Sequence, residues 1–212
     1  MVRKDIKEFI QSIPEHVNIV AASKYVDACD VQTLVSVGIH DIGENRVDSF
    51  LHKYEVLKEQ PIIWHFIGHL QRNKAKEVID KIDYLESLDS LKLAEIIQTN
   101  RLSPLKCFIE VSINLEENKN GVPYFELESF LTQLKEFPKV EVVGLMMMAV
   151  HTDDKASLKQ QFNKLRELRD EMEEKLSIKL PYLSMGMSED YQEAIEEGAT
   201  HIRLGRILFD LL

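Results

Sequence analysis

Eight short apolar runs, separated by stretches of helical periodicity, constrain this chain more than any other feature of its 212 residues. The runs cover residues 18–24, 41–44, 64–68, 84–87, 106–113, 141–148, 182–185 and 201–205. Several, such as Cys107-Phe-Ile-Glu-Val and Val142-Val-Gly-Leu-Met, are apolar almost throughout, the pattern of parallel strands covered on both faces. Between them apolar residues recur at threes and fours: Val47, Phe50, Leu51, Tyr54 and Leu57, then Leu127, Phe130, Leu131 and Leu134. Leu158, Phe162, Leu165, Met172 and Leu176 mark the longest helix. Ser90 reads as an N-cap, Pro123 as a residue near a helix start, and Gly198 as a helix stop.

A repeat of about 23 residues holds one short strand, one helix and two short loops. Parallel neighbours require such crossovers, and right-handed ones close a ring. An open doubly wound sheet has the same local pattern, but eight units favour closure. The expectation is an α/β protein, a single (β/α)8 TIM-type barrel over residues 1–212 with an additional N-terminal helix. No linker or low-complexity stretch divides it.

Composition narrows the function. The formal charge is -10, and the lysines and arginines of 164–175 alternate with glutamates, so no basic stripe is available for nucleic acid. Cys29 and Cys107 form no paired motif, against a disulfide framework or zinc site. His65 and His69 lie four apart in a strand-to-loop segment, where helical ligand spacing does not apply, and read as a pocket-side and a loop histidine. No metal is expected. With no apolar leader and no run near the length of a membrane span, the chain reads as soluble and cytoplasmic, with no membrane partner.

In such a barrel, functional groups gather where strands end. Lys24 ends an otherwise apolar run; it is either a lysine snorkelling to solvent or a nucleophilic amine. Gly186, Ser188 and Gly205, at the last two strand ends, either bring N–H groups to an anion or are a capping serine and two turn glycines. The methionines Met146, Met147, Met148, Met185 and Met187 read as packing, and the Glu116-Glu117 and Glu196-Glu197 pairs as solvated surface.

Several blocks carry a resemblance. They are Val20-Ala-Ala-Ser-Lys24, Gly43-Glu-Asn-Arg46, Trp64-His-Phe-Ile-Gly-His-Leu-Gln-Arg-Asn-Lys74, Gly144-Leu-Met146, Leu183-Ser-Met-Gly-Met-Ser-Glu-Asp190 and Gly198-Ala-Thr-His-Ile-Arg-Leu-Gly205. In this order, over almost the whole chain, it resembles the pyridoxal phosphate homeostasis proteins, a family similar to the barrel domain of bacterial alanine racemase. The resemblance implies pyridoxal 5'-phosphate as cofactor, with Lys24 as the aldimine-forming lysine. It implies phosphate contacts from Ser188 and from the backbone at Gly205 and Arg206. It sets Arg203 against the pyridine nitrogen and Asn45 beside the cofactor. Arg206 departs from the small hydroxyl residue usual there, removing a hydroxyl contact while leaving a backbone N–H and adding a guanidinium. Phe209-Asp210 stands where the family has Phe-Gly and a short tail, so the last helix is expected to be abbreviated.

A guanidinium neither loses nor accepts a proton in proteins, so a ring nitrogen facing Arg203 stays unprotonated and the ring is a weakened electron sink. That argues against transaminase-type chemistry. A two-base racemase needs a second acid/base, which alanine racemase draws from a separate domain; seven residues after Gly205 leave no such domain here. Tyr25, Tyr124 and Tyr182 read as packing or solvent-facing. The resemblance therefore implies a protein that buffers pyridoxal phosphate or delivers it to apo-enzymes, without turnover, as a monomer or weak dimer. A weak amino-acid racemase and an interaction module with a regulatory cofactor are the alternatives. Lys74 and Lys119 are candidates for transient receipt of the cofactor.

Overall fold

Every pairing between the strands is parallel, as continuous apolar runs require. A computed structural model describes residues 1–115 and 120–210. A helix α1 (Ile6–Ser12) precedes β1 (Asn18–Ala22), α2 (Ala28–Ser36), β2 (Asp41–Glu44), α3 (Val47–Leu57), β3 (Ile63–Phe66) and α4 (Arg72–Val78). There follow β4 (Tyr84–Leu88), α5 (Leu91–Asn100), β5 (Leu105–Ser112), β6 (Val122–Pro123), α6 (Leu127–Leu134) and β7 (Val140–Met146). The chain finishes with α7 (Lys155–Leu176), β8 (Tyr182–Met187), α8 (Tyr191–Glu196) and β9 (His201–Leu204). The strand order is β4-β3-β2-β1-β9-β8-β7-β5, and a β4–β5 pairing closes the ring. The architecture is the expected (β/α)8 barrel with its extra N-terminal helix.

The two faces of the ring are packed differently. Outside, a continuous apolar layer seals helices to strands and includes Val31, Leu34, Phe50, Leu57, Val78, Ile97 and Phe162. Phe50 of α3 is fully buried and meets Trp64 of β3 edge-on, with ring centroids 5.3 Å apart. Truncation of such a side chain to alanine costs about 3–5 kcal/mol. Inside, the apolar content is small: Phe108, Val143 and Met146 with Tyr84 and Tyr182 against them. Much of the rest is polar, with Glu86, His65, Ser184 and Arg203 all buried.

Local chemistry explains several boundaries. Asp27 and Asp154 cap α2 and α7, each accepting a backbone N–H at 3.0 Å from Asp30 and Ala156 respectively. Ser90 occupies the N-cap of α5 without a side-chain bond, and Gly198, at φ +94°, stops α8. The two-residue β6 against β5 and the 3-10 turn Tyr124–Glu126 before α6 have no counterpart in the sequence expectation. After β9 the described backbone makes a 3-10 turn, Arg206–Leu208. The N-terminal residues strap this segment: Val2 bridges Phe209, and the Arg3 N–H and guanidinium donate to the carbonyls of Leu208 and Ile207.

Candidate functional site

The C-terminal ends of β1, β8 and β9 surround a cavity of about 700 Å³. Its lining includes Lys24, Ser188, Arg203, Gly205 and Arg206, five of the six residues singled out in the sequence. Asn45 stands at the end of the neighbouring strand β2 and is not part of that lining.

Lys24 is not the last residue of β1, as expected, but lies in a turn two residues beyond it, and it is exposed. Its Nζ sits 4.8 Å above the Tyr25 ring. The turn is fixed from below. The buried Ser23 accepts through its carbonyl from Lys53 Nζ at 2.6 Å, and its hydroxyl donates to Glu44 Oε1 at 3.0 Å. Lys24 thus projects from a rigid base into open space.

The β8–α8 loop makes a small cradle. Gly186, at φ +90°, has no room for a Cβ, which would come within 2.6 Å of Ala194 Cβ. Asp190 accepts the Met187 N–H at 2.5 Å, and Ser188 Oγ accepts the Gly205 N–H at 3.2 Å. Burial pushes the Asp190 carboxyl upward. Helix α8 starts only at Tyr191 and spans six residues, so the loop before it, and not a helix end, forms this side of the cavity. At the rim, Arg206 and His151 both face Glu189, the latter pair at 3.5 Å, and Lys155 pairs with Glu193 at 2.8 Å.

Arg203 is the buried floor of the cavity. Its Nη1 donates to Ser184 Oγ at 2.7 Å and its Nη2 to the Met147 carbonyl at 2.8 Å. Ser184 in turn donates to Glu86 Oε2 at 2.6 Å, a bond from β8 to β4 that crosses the barrel interior. Glu86 Oε1 meets His65 Nδ1 at 2.7 Å, and His65 Nε2 meets Asp41 at 3.0 Å. Burial opposes a charge on His65, but the hydrogen bonds to Asp41 and Glu86 outweigh it and hold the imidazole near 9. Burial likewise opposes the Glu86 carboxylate, and the contact with His65, together with Arg203 and Ser184, outweighs it, bringing it to about 2.

His65 is therefore not the pocket-side histidine expected from the sequence. It is fully buried inside the barrel, stacked on Tyr84 at 4.5 Å, while His69 pairs with Asp89 at 3.3 Å. Asn45 is pinned by Gly68, where a Cβ would fall 2.5 Å from the Asn45 carbonyl, and among the described residues its buried Oδ1 has no hydrogen-bond partner. Tyr25 lines the cavity, Tyr182 packs inside the barrel against His201, and Tyr124 is away from the cavity. Lys74 pairs with Asp48 at 3.3 Å and does not line the cavity; Lys119 and the Glu116-Glu117 pair lie outside the described residues.

Known proteins share this fold. The model of the alanine racemase N-terminal domain matches residues 2–212. A pyridoxal phosphate homeostasis protein of Aquifex aeolicus is 41% identical over 194 residues, covering 90% of this chain and 85% of its own. PipY of Synechococcus elongatus, solved with pyridoxal phosphate bound, superimposes with a TM-score of 0.87 at 30% identity, over 96% of this chain and 99% of PipY. Alanine racemase of Clostridium difficile shares the fold alone, with a TM-score of 0.80 at 13% identity over all of this chain and 58% of the racemase. This chain belongs to the pyridoxal phosphate homeostasis protein family.

Proposed function

We propose that the protein binds pyridoxal 5'-phosphate through Lys24 and serves to buffer the cofactor or hand it to apo-enzymes. The observation that carries this reading is the convergence of Lys24, Ser188, Gly205, Arg206 and Arg203 on one cavity. The residues fit the cofactor group by group. Lys24 offers an amine to an aldehyde, and the Ser188 hydroxyl with the Gly205 and Arg206 N–H groups suits a phosphate. Arg203 offers only donors, which suits a ring nitrogen that accepts. The orphaned Asn45 Oδ1 lacks a donor, and a ligand hydroxyl can supply one. The bound cofactor would supply a carbon on which amines exchange.

Each residue then has a task of holding rather than of proton transfer. Ser188 and Gly205 anchor the anionic end, and Arg203 holds the ring without giving it a proton. Lys24, exposed at the rim, leaves the attachment point open to an incoming amine. Openness at the point of attachment favours exchange over sequestered turnover, since catalysis of this kind gains from a closed, water-excluding site. The action is that of a monomer or weak dimer on apo enzymes that use the same cofactor. Among the described residues no helix is long and apolar enough to cross a membrane.

The test is an absorption spectrum of the purified protein, repeated after borohydride reduction with mass mapping of the labelled peptide. A band from the bound cofactor with label on Lys24, followed by transfer to an added apo-enzyme, supports the reading. A protein that takes up no added pyridoxal phosphate removes it.

A further inference from the structure

We propose that Glu86 is a positioning residue that sets the direction of Arg203 before any ligand arrives, acting through the Ser184 hydroxyl and held in place by His65. The inference rests on the reading above, in which Arg203 faces the ring nitrogen of the cofactor.

Donors and acceptors leave one arrangement. A guanidinium only donates, and an ionised carboxylate only accepts. Ser184 has one proton, and its oxygen lies 2.7 Å from Arg203 Nη1 and 2.6 Å from Glu86 Oε2. The proton must therefore point to Glu86, and the lone pair to Arg203. The remaining Glu86 oxygen is taken by His65 Nδ1 at 2.7 Å. His65 faces a second carboxylate, Asp41, through Nε2 at 3.0 Å. A neutral imidazole has a single N–H and would set a bare nitrogen against one carboxylate, so the ring carries both protons. The chain Asp41, His65, Glu86, Arg203 then alternates in sign and sums to zero.

Geometry gives the same result. Arg203 has two protein anchors, Ser184 and the Met147 carbonyl, which stand on β8 and just past β7. Two anchors on different elements fix the plane of the guanidinium and leave its other N–H groups for the cavity it lines. Glu110 and Asp190, the other carboxyls that feel Arg203, are both pushed upward by burial, and among the described residues neither makes a competing ion pair with it. Without Glu86, two buried cations would remain and Arg203, which cannot deprotonate, would be free to turn toward Glu110 or toward a bound anion. Such support of a contact residue by locked neighbours is what holds a site within fractions of an ångström.

The experiment compares wild type with Ser184→Ala, Ser184→Thr and Glu86→Gln, following affinity for pyridoxal phosphate, the position of its absorption band and the thermal unfolding of the apo-protein. Ser184→Ala is expected to fold and to bind about tenfold to a hundredfold more weakly, the loss of a hydrogen bond to a charged group, with a displaced band. Ser184→Thr, which keeps the hydroxyl, restores both. A folded Ser184→Ala protein with the affinity and band of wild type overturns the proposal. Should Ser184→Ala and Glu86→Gln fail to fold, nitrogen NMR of wild type decides. Both ring nitrogens of His65 protonated at pH 8, with and without pyridoxal phosphate, support the network; a neutral His65 overturns it. A wild type that takes up no cofactor would defeat the parent reading, while the state of His65 in the apo-protein would still test the network.

Discussion

Lys53 Nζ, on α3, lies 2.5 Å from Glu44 Oε1 at the end of β2 and 2.6 Å from the Ser23 carbonyl at the end of β1. One ammonium thus ties two strand ends to the helix behind them, directly beneath Lys24. Both side chains of the pair are buried, so neither is rescued by water. Lys53→Met should leave the Glu44 carboxylate uncompensated and cost about 3–5 kcal/mol. The double variant Lys53→Met, Glu44→Gln should recover much of that loss. Urea unfolding of the three proteins checks this; equal stability of the single and double variants would contradict the coupling.

Lys24→Ala tests the opposite situation. The side chain is exposed and, among the described residues, makes no hydrogen bond but only the stack on Tyr25, so stability should change by no more than about 0.5 kcal/mol. Borohydride should no longer fix any cofactor to the peptide containing residue 24. A large drop in thermal midpoint would mean that Lys24 is a structural residue after all.

Buried charge inside the barrel should shape the pH profile of stability. His65 has its folded value raised from 6.5 to about 9, so its contribution is whole below pH 6.5 and is lost as the pH rises through 9. Burial lowers His201 to about 4, so below pH 6.5 the unfolded chain takes a proton that the folded one refuses, and stability falls toward pH 4. Glu86, depressed from 4.5 to about 2, adds a loss as the pH falls through that range. The urea midpoint should therefore peak near pH 6.5 and decline on both sides. A midpoint that stays level from pH 6.5 to 9 would contradict the charged state of His65.

At the cavity rim Glu189 pairs with Arg206 and, in the proposed reading, would compete for it with a bound phosphate. Both side chains are more than half exposed, so salt should weaken the pair. Glu189→Gln is expected to tighten pyridoxal phosphate several-fold at low ionic strength and to leave unphosphorylated pyridoxal unchanged. Arg206→Ser should weaken the phosphorylated form less than tenfold. Equal effects on both ligands, measured by titration, would place Arg206 away from the phosphate.

The strands were legible because parallel strands inside a shell of helices must be apolar on both faces, and the run from Cys107 is one of them. The boundary at Lys24 was not, because an apolar run continues into Ser23 although the backbone has already turned. The turn at Gly186 could be read because its geometry is local. Glu86 and Ser184 could not be paired, since they are 98 residues apart and meet only when the ring closes. A signal for Glu86 was present all the same: a carboxylate between Leu85 and Leu88, with only Ser87 for polar company, needs a buried partner. The sequence does not say which one.

The bond from Ser184 to Glu86 also bears on how the chain reaches its native state. A fragment ending after α5 would contain Asp41, His65 and Glu86 but neither Ser184 nor Arg203, leaving two acids and a histidine without their guanidinium. The complementary fragment would hold a buried arginine with no carboxylate across from it. Neither half-ring is electrically complete, so each unit gains its full stabilisation only when the last strand docks. Folding should accordingly be all-or-none and slow for the chain's size, with docking of β9 on β1 as the committing event.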